Sequence, residues 1–302
     1  MKILITGATG LIGDALVKLL LQNKHQVHYL TTSVSKIVYH ENERGFYWNP
    51  LTGEIDKNCI EGVDVIIHLA GASISKRWTK SYKKELIESR IVSANLLFSL
   101  LKKNSNQVKH FISASGTAIY PDSYNKIYDE TSKEKDDSFL GNLVVRWEEA
   151  ADQFELLNIK VAKIRTGVVY AKNGGALVEI IKPIKMGFGS GFGSGKQMQS
   201  WIHIDDIVNL YYFVIKNKIE GVVNAVSPNG MTNTEQTKII AKLLKKPLFL
   251  PNVPQWIMKL ALGDMHILLF NNKTIVPKKV LDLGFTFNYA NPEEALKNCI
   301  TE

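Results

Sequence analysis

Three glycines carry the clearest chemical signal in this chain. Gly7, Gly10 and Gly13 stand in the run Gly7-Ala8-Thr9-Gly10-Leu11-Ile12-Gly13, directly behind a short apolar segment (residues 3–6) and ahead of an amphipathic run (residues 11–22). At that spacing Gly7 permits a tight turn, Gly10 lets the backbone approach a ligand, and Gly13 lets the following helix pack close to the strand. The first turn of that helix offers N–H groups and a partial positive charge to a pyrophosphate. Gly7, Thr9, Gly10, Leu11, Ile12 and Gly13 are therefore the expected phosphate contacts of a dinucleotide.

In such folds an acidic residue about twenty positions beyond the turn accepts hydrogen bonds from the ribose 2′-hydroxyl and selects NAD. Residues 30–36 read Leu-Thr-Thr-Ser-Val-Ser-Lys, without a carboxylate. Thr32, Ser33 and Lys36 would meet a 2′-phosphate with hydroxyls and a positive charge, which favours NADP over NAD. Lys36 acts there only as a point charge, and a solvated loop lysine is the alternative reading.

The elements that must position these groups alternate between strand and helix patterns through the first two thirds of the chain. That order predicts an α/β fold, a Rossmann-like doubly wound parallel sheet with helices on both faces. Strands are expected over residues 27–30, 63–69, 108–114, 161–164 and 222–226, a hairpin over 45–55, and a helix over 136–157. A long helix is expected to bury Ile87, Ile91, Ala94, Phe98 and Leu101 on one face. Pro247, Pro251, Pro254, Pro277 and Pro292 then punctuate short helices, which suits a smaller C-terminal substrate region. The expected division is 1–170 with about 200–228 as the dinucleotide-binding domain, and about 171–199 with 229–302 as the substrate or lid region.

With 302 residues, 45% of them hydrophobic and 22% charged, the chain has ordinary globular composition and ample length for a core. Its net charge of +8 comes from scattered lysines, with no basic run and no aromatic-basic motif, so nucleic acid is not the expected partner. A small molecule is. Cys59 and Cys299 are isolated and no histidines stand at ligand spacing, so neither a disulfide framework nor a metal site is expected. No apolar run approaches a membrane span, and the first strand pattern opens the sequence without a leader-like segment. A soluble cytoplasmic protein is the expectation, with homo-oligomerisation left open.

These motifs, with His68-Leu69-Ala70-Gly71, Ser113-Ala114-Ser115 followed by Tyr120, and Trp201-Ile202-His203-Ile204-Asp205-Asp206, come in the order of the extended, epimerase-like short-chain dehydrogenases/reductases. The chain resembles in particular the atypical YfcH-like epimerase-family proteins, whose substrate is unassigned. That narrower resemblance rests on Lys76-Arg77-Trp78-Thr79, Ser89-Arg90-Ile91, Arg165-Thr166-Gly167, the block from Gly195-Lys196-Gln197 to Asp206, and Leu283-Gly284-Phe285-Thr286-Phe287. It implies that Leu69, Ala70, Gly71, Ala72, Ser113 and Arg165 also line the nucleotide. For the small residues, plain close packing is the other reading.

Typical members of the superfamily exchange a proton through a tyrosine and a lysine four residues apart, with a serine orienting the substrate oxygen. Here Ser115 matches the serine, but Leu140 and Val144 stand where the tyrosine and lysine belong. Tyr212 and Lys216 have the spacing but come too late in the topology, and read as an apolar-face tyrosine with a surface lysine. Three possibilities follow. Another acid/base serves (Tyr120, Lys76, Arg77 or Arg165), the reaction needs only hydride positioning, or the nucleotide is bound without turnover. Ser115 and Tyr120 are the catalytic candidates, and a ring packed over the nicotinamide or the core is the other reading of Tyr120. Arg77 and Lys196 are candidates for an anionic substrate group, Lys196 within a Gly-rich segment (185–197) that reads either as a closing loop or as a structural crossing. Arg90 reads as an ion-pair partner and His203 as the holder of a strand–helix turn.

The expected function is thus an NADP(H)-dependent oxidoreductase or epimerase acting on a small anionic or sugar-like molecule. A non-catalytic dinucleotide sensor is the alternative.

Overall fold

Continuous apolar runs, rather than alternating ones, mark the central strands as buried on both faces. Ile3, Leu4 and Ile5 are all fully buried, with Ile3 and Ile5 in one core layer and Leu4 in the other. The structure, a computed structural model, describes residues 1–301. Its first half runs β1 (Lys2–Thr6), α1 (Leu11–Gln22), β2 (Gln26–Thr31), β3 (Glu43–Asn49), β4 (Glu54–Ile55), β5 (Val65–His68), α2 (Lys80–Lys103) and β6 (His110–Gly116). There follow β7 (Ile127–Tyr128), α3 (Phe139–Asp152), β8 (Lys160–Thr166), β9 (Val168–Tyr170) and α4 (Gly175–Lys185). Next come β10 (Met198–Gln199), β11 (Trp201–His203), α5 (Ile204–Asn217) and β12 (Gly221–Ala225). The C-terminal part holds β13 (Met231–Thr232), α6 (Asn233–Leu243), α7 (Gln255–Leu262), α8 (Ile267–Phe270), β14 (Thr274–Ile275), α9 (Lys278–Asp282) and α10 (Pro292–Thr301).

The main sheet has the order β12-β8-β6-β5-β1-β2-β3-β4. Its strands are parallel except β4, which turns back on β3 through Trp48↔Ile55 and Asn49↔Glu54. The fold is therefore the Rossmann-like doubly wound α/β architecture that the alternating pattern predicts. The expected hairpin over 45–55 is present, but β3 pairs mainly in parallel with β2. After β1 the chain builds outward to β4, then returns to lay β5 on the other side of β1. The carboxyl ends of β1 and β5 thus form the topological switch point, where open α/β sheets bind ligands.

One helical layer packs Leu16, Leu20, Ile207 and Val214 against the sheet, and the other packs Leu97, Leu101 and Phe154. The buried face of α2 differs from the expected one. Leu86, Arg90, Ser93, Ala94, Leu97, Leu100 and Leu101 are buried, whereas Ile87, Ile91 and Phe98 are only partly so. Two polar residues sit in that stripe with hydrogen bonds to the helix's own carbonyls: Ser93 donates to Ser89 O at 2.7 Å and Arg90 to Leu86 O at 2.7 Å. A hydrophobic period cannot show this.

His203 caps α5, its Nδ1 accepting from Asp205 N at 3.2 Å. Asp206 accepts the N–H groups of Asn288 at 2.7 Å and Tyr289 at 3.0 Å, tying the C-terminal segment to the first turn of α5. Among the described residues no helix is long and apolar enough to cross a membrane, and no three metal-binding side chains cluster.

Candidate functional site

The glycine turn sits at the switch point and is shaped by contacts that exclude side chains. Gly7 has φ +72°, and a Cβ there would lie 2.9 Å from Leu69 C. A Cβ on Gly13 would lie 2.1 Å from Gly7 O. Thr6 Oγ1 accepts from the N–H groups of Leu69 at 3.1 Å and Ala70 at 3.0 Å, locking the turn after β5 to the end of β1. Gly10 caps α1 without a side chain, so no protein group competes for the helix's first N–H groups through that position. These features suit a pyrophosphate, as the sequence suggests. Gly174 and Gly175, which open α4, also belong here: a Cβ on either would lie 3.2 Å from Leu11. A second helix start therefore rests beside the first, and the Gly-Gly pair was its only sequence signal.

Thr32 and Lys36 are exposed on the loop after β2, with Ser33 partly so. The loop is held from beneath: Tyr29 OH donates to Lys36 O at 2.6 Å and accepts from Val38 N at 3.0 Å. The Tyr29 ring fits because Gly45, on the neighbouring strand, has no side chain; a Cβ would lie 2.6 Å from it. Arg44 instead stacks over Tyr39 and Phe46, 5.3 and 4.9 Å from the ring centroids.

The other candidates divide. Ala70, Gly71 and Ala72 lie at the open strand end, whereas Ser113 is buried and donates to Ala114 O at 2.9 Å. Ser115, Tyr120 and Arg165 converge, but on one another. Arg165 meets Glu148 with Nε and Nη2, both at 2.8 Å, and gives Nη1 to Tyr120 OH at 3.0 Å. Ser115 donates to Glu148 Oε1 at 2.6 Å, and Tyr120 OH donates to Asn224 Oδ1 at 2.8 Å. All five side chains are buried, Tyr120 completely. Burial pushes the Tyr120 hydroxyl above its ordinary pKa, only partly opposed by Arg165. Glu148 goes the other way: burial would raise it, but the Arg165 bonds hold it below the usual carboxylate range. This geometry describes a closed polar network beneath the sheet edge, with its donors and acceptors already engaged. Leu140 and Val144 are buried above it in one apolar cluster with Trp78, Ile119 and Tyr120.

Arg77 and Lys196 are exposed, and Arg77 reaches Ala261 O at 3.4 Å. Arg90 departs from the ion-pair expectation. Its partners are the carbonyls of Leu86 and Ala72, the latter at 3.2 Å, and the Trp147 ring, 4.7 Å from its guanidinium carbon. Burial lowers its pKa to about 10. The Gly-rich segment is pinned as a crossing: Gly193 N donates to Val253 O at 2.9 Å and Thr234 N to Gly195 O at 2.9 Å. Lys273, which spacing did not flag, is buried with Nζ 3.3 Å from Ala118 O and 3.8 Å from Asp136.

The model of the NAD dependent epimerase/dehydratase family matches residues 3–226, which span the whole main sheet. The chain belongs to that family. A domain of unknown function, DUF1731, matches residues 253–299 of this epimerase-family chain. The chain is 34% identical to the chloroplastic epimerase family protein SDR39U1 homolog of Arabidopsis thaliana, over 98% of this chain and 86% of the relative. It is 33% identical to an epimerase family protein of Staphylococcus aureus, over 99% of both. The human epimerase family protein SDR39U1, solved with NADPH, matches in structure with a TM-score of 0.85 and 29% identity, over 99% of each chain.

Proposed function

We propose that this chain binds NADPH in preference to NADH at the β1/β5 switch point and uses it in hydride transfer to or from a small molecule. The carboxylate-free loop carrying Thr32, Ser33 and Lys36 carries this reading: a 2′-phosphate meets hydroxyls and a cation there instead of like-charge repulsion. The NADPH in the human relative supports it. Gly7, Thr9, Gly10, Leu11, Ile12 and Gly13 would hold the pyrophosphate, and Ala70, Gly71 and Ala72 the strand-end side of the nucleotide. When bound, NADPH supplies the hydride; the protein's part is to orient it and exclude water.

Proton transfer is assigned away from Tyr120, Ser115 and Arg165, whose polar groups are engaged with Glu148 and Asn224. They position the strand ends instead. The proton then comes from solvent, from the substrate itself, or from exposed Lys76, with Arg77 beside it as a fixed positive charge. Buried Leu140 and Val144 favour a second reading, a nucleotide-binding sensor without turnover. NADPH oxidation followed at 340 nm (the absorbance of the reduced nicotinamide) across a carbonyl panel separates the two. Turnover that survives Tyr120→Phe supports the enzyme. Tight NADPH binding with no turnover supports the sensor.

A further inference from the structure

Four large apolar side chains are bare where the turn after α4 meets the segment that leads into α7. Helix α7 has no buried residue, and Trp256 and Leu260, four apart on one face of it, are 64% and 73% exposed. Residues 247–251, Pro-Leu-Phe-Leu-Pro, are exposed throughout, Phe249 to 70%. The turn after α4 adds Phe188, 65% exposed between Gly187 and Gly189. These pieces are tied together. A Cβ on Gly189 would lie 2.7 Å from Leu248 Cδ2, Ser190 Oγ donates to Pro251 O at 2.5 Å, and Gly193 N donates to Val253 O at 2.9 Å. Scattered apolar side chains would need no account, but a connected set of them marks an interaction surface.

The charge around them has one sign. Residues 180–204 hold three lysines and residues 236–263 five, and neither stretch contains an aspartate or a glutamate. Lys185, Lys245, Lys246 and Lys259 are exposed. The acidic side chains that border the face are engaged: Glu179 by Lys182 at 2.6 Å, Asp264 by Lys83 at 2.6 Å and Glu293 by Lys242 at 2.7 Å. Glu235 closes the capping box of α6 with Thr232, and Asp122 accepts the N–H of Asn272.

We infer that this face docks on an anionic membrane surface, the exposed rings entering the headgroup region while the lysines meet lipid phosphates. Aromatic side chains ringed by lysine are what that boundary takes up. A second copy of this chain fits less well, because a twofold contact would set these lysines against their own copies with no acid between them. A partner protein recognises anchors seated in pockets. Here the apolar groups project instead from a glycine-flanked turn, a proline-bounded segment and a helix face. The contact is peripheral, needs no spanning helix, and does not depend on the cofactor.

The test is sedimentation of the full chain with vesicles of phosphatidylcholine alone and of phosphatidylcholine with about 30% phosphatidylglycerol. We expect binding to the anionic vesicles at least about tenfold stronger, with most of that gain lost at about 0.5 M NaCl. Trp256→Ser with Leu260→Ser, and separately Phe188→Ser with Phe249→Ser, should each weaken binding about tenfold or more. All four side chains are exposed, so the thermal unfolding temperature should hold. Lys245→Gln with Lys246→Gln should weaken binding to anionic vesicles about fivefold or more and leave neutral ones unchanged. Wild-type protein that ignores anionic vesicles overturns the inference and leaves the face to a protein partner. Equal binding to neutral vesicles overturns it too, as does any of the three double variants binding like wild type. A dimer in analytical ultracentrifugation that is lost in the Trp256/Leu260 variant, without vesicle binding, would assign the face to a second copy instead.

Discussion

Glu148 on α3 and Arg165 on β8 face each other as a two-pronged ion pair, 2.8 Å at both contacts, and both are more than nine-tenths buried. The pair draws in Ser115 and Tyr120, the two catalytic candidates of the sequence reading. Breaking one side leaves a buried charge alone. Arg165→Met should cost about 3–5 kcal/mol of stability, seen in urea unfolding, because Glu148 loses its partner.

The pair also sets a pH dependence. Arg165 holds the Glu148 pKa below its unfolded value, against the upward push of burial. Its contribution is therefore fully present above the unfolded carboxylate pKa and is lost as pH falls through the folded one. Glu148→Gln does not titrate there. The stability gap between wild type and Glu148→Gln should be widest near neutrality and shrink progressively below about pH 4.5. A gap that grows on acidification would reverse the assigned sign.

The glycine turn predicts a steric result. Gly13→Ala places a methyl group 2.1 Å from Gly7 O, so α1 or the turn must shift. We expect about 1–3 kcal/mol of destabilisation and, in the folded fraction, at least about tenfold weaker NADPH binding by fluorescence titration.

How much of this was legible in the residues differs by region. The turn at 7–13 was readable because glycine spacing, strand and helix all encode one local geometry. The acid-free loop was readable for the same reason. Tyr29 and Gly45, which brace that loop, lie sixteen residues apart in sequence and meet only through the β2–β3 pairing at Tyr29↔Gly45. Ser115, Tyr120 and Arg165 stand out in the sequence as separate candidates, and the structure brings them together. Whether they face the cleft or each other depends on Glu148, whose part no local pattern signals. Arg90 was misread because a buried cation held by carbonyls and a tryptophan ring looks, in sequence, like any helix arginine.

That bracing gives a separable prediction. Tyr29→Phe removes the hydroxyl that bonds Lys36 O and Val38 N, while leaving the ring in place. NADPH should bind about three- to tenfold more weakly, on the order of 1 kcal/mol, with NADH affinity changed less, because the 2′-phosphate makes more use of this loop than a 2′-hydroxyl does.

The most direct measurement is calorimetric titration of the purified protein with NADPH, NADP, NADH and NAD, repeated on Thr32→Asp. We expect micromolar NADPH binding, at least about tenfold tighter than NADH, and loss of that preference when the carboxylate is introduced. Equal affinity for NADPH and NADH, or no binding of any of the four, would contradict the assignment of the β1/β5 cleft as an NADPH site.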